Sequence, residues 1–549
     1  MVRQDLTRRD LVKAGLASTA GASLLSGCTE QIQGAVGSGS GANALRIATD
    51  SDPGSPLNIF VSSNSKFDWM KDLVYDRLLA PSPYVDDPVP GLATDTEQLD
   101  DTTWTATLRE DATWHDGEPF TAEDVVFQYR FFRDGPPTRY THHVSQAPHI
   151  KTIEAIDDRT VRFECAYPCP TLADITFADL PIIPKHVWSE VEDPYKHAEL
   201  PVGTGPYELA EYEAGERLRF ESNDDYFMGE PLVDEVVVPI IQDHSTIFTA
   251  LRTGEIDTTS VAIPPATVDQ FESNDATEVV KATDLSLAEI RINYERSPFD
   301  QGEFRWALSR AIDKQALVDV VMLGKAIPGS EGYPHPKSPW TAEDIGQPYK
   351  PEAAAAKLDE LGFRDRDDDG IRETSDGEPL SFTLKVASNQ PSYIRAAELV
   401  AEDLTAIGLD TTAKTLDPGT IGDLFGSRNF DMYISSITPH GVADPDQFVM
   451  SHRSGYLWDK DIPYPAWDEL FEEWKQTATV EARKEVLFEM QELFNSQPTS
   501  LPLWYPEPRF AFRPAEHDRW AESPGFGIHH KWSLLPAGAR EETVTDSFD

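Results

Sequence analysis

The sequence predicts an α/β protein built on open sheets. Two observations carry that expectation. Runs with period-two alternation, such as "LRIATDSD" and "LSFTLKVA", alternate along the chain with amphipathic helical stretches. Helical stretches end at glycines, Gly362 and Gly408 among them, and strand-like sequence follows within a few residues. No internal repeat interrupts this order.

Ahead of the first strand lies a leader. Arg8 and Arg9 form a charged start, and residues 14–25 are small and mildly apolar, the order of an export signal. "TRRDLVK" from Thr7 resembles the twin-arginine (Tat) export motif, and "LSGC" ending at Cys28 resembles a lipobox. The resemblance implies cleavage of residues 1–27, a lipidated Cys28 as the new N-terminus, and a protein anchored at the extracellular face of the cell membrane. Residues 28–43 are rich in Gly and Ser and read as a flexible tether with a reach of about 20 Å.

From residue 44 the elements follow in order. "LRIATDSD" reads as the first strand. "WTATLRED" and "TVRFECA" are strand-like and flank "FTAEDVVFQYRFF", where Thr121 is a good N-cap and Glu123 and Asp124 suit the positive helix end. A second α/β stretch runs from about residue 201 to 289. The run 300–322 predicts one long helix with Phe304, Ala307, Leu308, Ala311, Ile312 and Leu317 on one side. "PEAAAAKLDELG", "SYIRAAELVAEDLTAIG" and "VEARKEVLFEMQELFN" predict three more helices.

Composition narrows the function. The chain has 47 Lys+Arg against 95 Asp+Glu, a net charge of −48, with acids spread throughout. Nucleic acid is excluded as a partner, because phosphates need a basic footprint. Such a surface resembles that of proteins from extreme halophiles; at about 1 M salt the Debye length is about 3 Å and the self-repulsion largely vanishes. Three cysteines occur. Cys165 and Cys169 in "FECAYPCP" leave two readings open: a small-loop disulfide in an oxidising compartment, or two buried thiols, since so short a loop strains easily.

Taken together, the segments resemble one family, the extracellular solute-binding proteins of ABC importers in the oligopeptide, dipeptide and nickel group (family 5). "WTATLREDATWHDGEPFTAEDVVFQYR" from Trp104, "VGTGPYEL" from Val202, "LRTGEID" from Leu251, "RSPFDQGEFRWALSRAIDKQAL" from Arg296 and "KLDELGFRDRDDDGIRE" from Lys357 occur in the family's order. The resemblance implies a two-lobed, periplasmic-binding-protein-like (Venus-flytrap) α/β fold with an inserted third domain. Lobe I would take residues 44–80, 201–288 and 500–549, the inserted domain 81–200, and lobe II 289–499. A small-molecule solute would be captured by lobe closure, with no catalytic residue and no cofactor, and passed to permease subunits driven by separate ATPases. The chain has no G-x-x-x-x-G-K-[ST] loop of its own, and a monomer is expected. A receptor subunit for chemotaxis or signalling stays open as an alternative, whereas an exported hydrolase finds neither G-x-S-x-G nor H-E-x-x-H.

By the same resemblance, Trp504 and Tyr505 line the pocket, Thr438 and His440 stand on a loop facing the cleft, and Asn58 lies in an early cleft loop. Hinge packing for the two aromatics and a turn role for Asn58 stay open beside that reading. The family's Asp for a peptide's α-amine, anchored on Asp444-Pro445-Asp446, falls on Gly441, and no Arg for the carboxylate lies between Lys385 and Arg395. A dipeptide is disfavoured, since an unpaired buried charge costs several kcal/mol. What remains is a cleft that reads as neutral, polar and aromatic, for a peptide held in another way, an oligosaccharide or another small polar solute. Finally, Asp365, Asp367 and Asp369, with Asp376 at the twelfth position, follow a calcium-loop spacing; calcium and a merely solvated acidic turn are the two readings.

Overall fold

The computed structural model describes residues 43–60, 68–81, 88–138, 140–145, 148–293, 295–342, 345, 349–437, 445–455, 464–523, 525 and 527–536. The leader, Cys28, Thr438, His440, Gly441 and Asp444 lie outside the described residues.

Period-two runs become two large sheets. The first has seven strands in the order Glu278–Lys281, Arg509–Phe512, Thr258–Thr259, Ala44–Ala48, Glu235–Pro239, Arg217–Ser222 and Tyr207–Glu213. Its central strand, Ala44–Ala48, runs parallel to Glu235–Pro239 on one side and to Thr258–Thr259 on the other. The second has six: Ala326–Pro328, Ser500–Pro506, Leu287–Ile292, Met432–Ile437, Ser381–Ala387 and Asp410–Leu416. Here Ser381–Ala387 and Asp410–Leu416 are parallel and joined through the helix Pro391–Ala406, whose apolar face, Ala396, Ala397, Val400 and Leu404, is buried.

A four-stranded antiparallel sheet, Ala93–Asp100, Thr103–Leu108, Thr160–Cys165 and Ile150–Ala155, forms the insert. The helix Ala122–Asp134 buries Val125, Val126, Tyr129 and Phe132. Thr121 is its N-cap, and Asp124 accepts from the Thr121 amide at 2.9 Å and the Lys185 amide at 3.0 Å. The insert's apolar residues share one continuous core with those of the seven-stranded sheet, whereas the six-stranded sheet has separate cores on its two faces. The insert therefore belongs mechanically to the first lobe.

Two expectations change. The single helix predicted over 300–322 is two, Gly302–Ala311 and Lys314–Val321, because Ile312 takes extended backbone and Asp313 accepts from the Ala316 amide at 2.9 Å as a fresh N-cap. The six residues expected on one side are nonetheless all buried. Residues 500–506, expected in lobe I, pair with Leu287–Ile292 in the six-stranded sheet. The crossings between the sheets accordingly occupy 282–286 and 507–508. No described helix is long and apolar enough to cross a membrane.

Candidate functional site

The motifs quoted above meet in space. Gly203 and Gly205 of "VGTGPYEL" pass against the end of the helix Asp68–Val74, so close that a Cβ on Gly203 would stand 1.8 Å from the Val74 carbonyl oxygen and one on Gly205 2.3 Å from that of Leu73. Only glycine fits there. His115 of the "WHDG" stretch clamps the same turn: its Nδ1 accepts from the Gly203 amide at 3.2 Å and its Nε2–H donates to the Gly205 carbonyl at 3.0 Å. Burial holds its pKa below the ordinary histidine value, which keeps the ring neutral and the tautomer fixed. Between the glycines, Thr204 donates to Asp76 at 3.0 Å. These motifs build the joint between insert and first lobe rather than a reacting centre.

Two crossings, 282–286 and 507–508, join the sheets. In the first crossing, the Thr283 amide donates to Glu522 at 2.6 Å and its carbonyl accepts from Gly525 at 2.9 Å. In the second, Glu507 pairs with Lys281 at 2.7 Å and reaches Lys337 at 3.9 Å, a bridge across both crossings that holds its carboxyl below the ordinary value against the cost of burial.

Trp504 and Tyr505 lie just before the second crossing and point to opposite faces of their strand, as successive strand residues must. Each is 1% exposed. Trp504 packs in the core with Leu384 and Ala288, edge-to-face with Tyr393 at 5.7 Å. Tyr505 sits in the opposite core; its hydroxyl lies 2.6 Å from the Tyr333 carbonyl and accepts from the Ser330 amide at 3.3 Å, and burial pushes its pKa up. Asn58 is buried elsewhere: its amide donates to the Pro194 and His197 carbonyls, at 3.1 and 2.7 Å, and its oxygen accepts from Phe60. It fastens an early loop to the insert. The three are not brought together, and Thr438 and His440 follow the described strand Met432–Ile437.

Sequence reasoning did not single out Asp284 and Ser286, hydrogen-bonded to each other in the first crossing, or Tyr393, which packs edge-to-face on Trp504. Tyr393 read only as a residue of a helix, and nothing in the pattern of a crossing sets Asp284 apart from the many other acids. It also missed Glu289 and Arg291, an ion pair buried in a central strand.

Cys165 and Cys169 are free, buried thiols; no disulfide is formed. Each backbone amide is held in the insert by a carbonyl of the neighbouring turn, Thr102 and Asp101, and the adjoining Cys169 thiol, with burial second, pushes the Cys165 pKa up. In the acidic loop, Asp365, Asp367 and Asp369 gather with Glu373, not with Asp376. Asp365 accepts from the amides of Asp368 and Gly370, at 2.8 and 2.9 Å, and Glu373 from that of Arg366 at 3.0 Å, so the carboxylates already hold the turn.

Comparison with known proteins decides what this architecture is. The model of the bacterial extracellular solute-binding proteins, family 5, matches residues 87–459. The chain belongs to this family. Oligopeptide-binding protein AppA of Bacillus subtilis is 28% identical over 451 residues, 78% of each chain, and di/tripeptide-binding protein 2 of Pseudomonas aeruginosa is 25% identical over 491 residues, 84% of this chain and 89% of the relative. The structure of Bacillus subtilis AppA in complex with a nonapeptide superposes with a TM-score of 0.73 at 23% identity, covering 90% of this chain and 99% of that one. NikZ of Campylobacter jejuni in complex with Ni(L-His) superposes at 0.75 and 20%, over 89% and 97%. The family 5 protein thus has the two-lobed periplasmic-binding-protein fold and is a solute-binding component of the kind that serves ABC importers.

Proposed function

We propose that this family 5 protein captures a peptide longer than two residues between its lobes and delivers it to a permease driven by separate ATPases. The single observation behind the choice is the similarity to AppA over 78% of each chain; the lack of an Asp at Gly441 and of an Arg between Lys385 and Arg395 serves only to disfavour a dipeptide. A longer peptide offers several backbone amides and carbonyls to the cleft, so its binding depends less on its two charged ends than a dipeptide's does. We further propose Tat export and a lipid anchor at Cys28, on the strength of the leader, and a working environment of molar salt, on the strength of the net charge of −48.

Mass spectrometry of small molecules released by denaturing the protein, purified in molar salt, tests the solute class. Recovery of peptides of three or more residues is the expected result; a sugar, a metal chelate or a dipeptide recovered in stoichiometric amount would overturn it.

A further inference from the structure

The ion pair of Glu289 and Arg291 lies in the strand Leu287–Ile292, which is paired on both sides in the six-stranded sheet. Alternation puts residues 287, 289 and 291 on one face: Leu287 belongs to the core that holds Tyr333 and Tyr505, whereas Ile290 and Ile292 belong to the opposite one. Ser500 is the register partner of Arg291 in the neighbouring strand, so its side chain shares that face. Next to it, the Thr499 hydroxyl lies 2.7 Å from His452 Nδ1, and the His452 ring stands edge-to-face with Tyr333 at 5.3 Å. Polar side chains from separate segments thus meet inside a largely aromatic core.

Their hydrogen bonding is incomplete. Glu289 and Ser500 are 0% exposed, His452 1% and Tyr333 7%, yet neither oxygen of Glu289, nor the Ser500 and Tyr333 hydroxyls, nor His452 Nε2 has a partner of good hydrogen-bond geometry among the described residues. Burial pushes the Glu289 carboxyl above its ordinary value, with Arg291 and Ser500 pulling the other way. Burial, and after it the Arg291 charge, holds His452 at about 3, so that ring is neutral. A buried ion pair is stable only when its remaining lone pairs and protons are satisfied.

Charge selects the missing partner. Glu289 and Arg291 cancel, and His452, Ser500 and Tyr333 add nothing, so neither an anion nor a cation gains by entering. The hydrogen-bonding demand is mixed: Glu289 only accepts, the hydroxyls do both, and His452 Nε2 donates or accepts according to where the proton of the Thr499 bond lies. A small neutral molecule that both donates and accepts serves them all. We propose that ordered water occupies this cluster in the second lobe, as the hydrogen-bond partner of His452 Nε2 and of the Glu289 carboxylate. The water belongs to the fold rather than to the solute, and it completes the solvation of a charged pair on the strand that leads out of the first crossing.

The test is crystallographic and uses the full chain, with high-resolution data from crystals grown in molar sodium chloride and again in molar rubidium bromide. A peak within about 3.2 Å of His452 Nε2 and of a second polar atom of the cluster is expected in both, with no anomalous signal from rubidium or bromide. An anomalous peak there would give the site to an ion and overturn the assignment. A cluster without density, its side chains turned to bond one another, would overturn it equally. Neither result bears on the solute class, since nothing in this inference depends on what the lobes capture.

Discussion

At Gly203 the backbone has no room for a methyl group, since the obstacle is the Val74 carbonyl, backbone rather than a yielding side chain. Gly203→Ala is expected to destabilise the protein by about 3 kcal/mol, read as a lowered denaturation midpoint at unchanged slope. Buried histidines set the pH response. His529 lies against Phe510 and Trp520, and His452 against Phe448, Trp467 and Phe494; burial lowers each to about 3. Because these folded values lie below the unfolded one of about 6.5, the unfolded chain takes up protons first as pH falls. Their contribution is complete above about pH 6.5 and drains below it, by at most about 1.4 kcal/mol per pH unit for each ring. Denaturation in molar salt at pH 7 and pH 5 should show this loss, and His529→Gln should narrow the gap. An equal gap in that variant would mean the ring is protonated in the folded state. The motifs around Gly203 and His115 were legible as a pattern; the reason for them was not, because a clash with Val74 is a contact across a domain joint.

Among the elements, the short helix Lys531–Leu534 shows how the chain's end is fastened. Lys531 pairs with Asp76 at 2.5 Å, both nearly inaccessible, and Asp76 also accepts from Tyr226 at 2.8 Å and from Thr204. Arg77 pairs with Asp72 beside them. Lys531→Met would leave the Asp76 carboxylate buried without its cation, and a loss of about 3–5 kcal/mol is expected by chemical denaturation. Partial recovery in the double variant Lys531→Met with Asp76→Asn would identify the stranded charge as the cause. Helices with sustained period, such as Pro391–Ala406 and Val480–Ser496, were readable from sequence because their buried faces recur every three to four residues. The break at Ile312 was not, since both halves bury the same side and only the Asp313 cap separates them. The placement of Ser500–Pro506 escaped as well: a fully buried strand carries no alternation to say which sheet it joins.

At the scale of the whole molecule, the lobes touch away from the crossings. Arg483, on a helix of the second lobe, donates to the Pro168 carbonyl at 2.7 Å and the Thr171 hydroxyl at 2.9 Å of the insert, with its guanidinium over Trp474. Those bonds exist only while the lobes are together, so Arg483→Ala should weaken solute affinity by on the order of tenfold, mostly through faster release. Calorimetry with stopped-flow release would measure it, and unchanged affinity would show the contact to be neutral to closure. The charge of −48 makes a second prediction: thermal stability should climb as salt is raised from tenths of molar to molar, because screening relieves self-repulsion. One more property follows from the run 500–512. It contributes an interior strand to the six-stranded sheet, between Leu287–Ile292 and Ala326–Pro328, and then one to the seven-stranded sheet, between Thr258–Thr259 and Glu278–Lys281. A nascent chain still short of residue 500 therefore carries two sheets, each split by an empty slot with bare edges on either side. The beginning of this polypeptide waits for its end, and a premature stop codon anywhere before that run would spoil both lobes at a stroke.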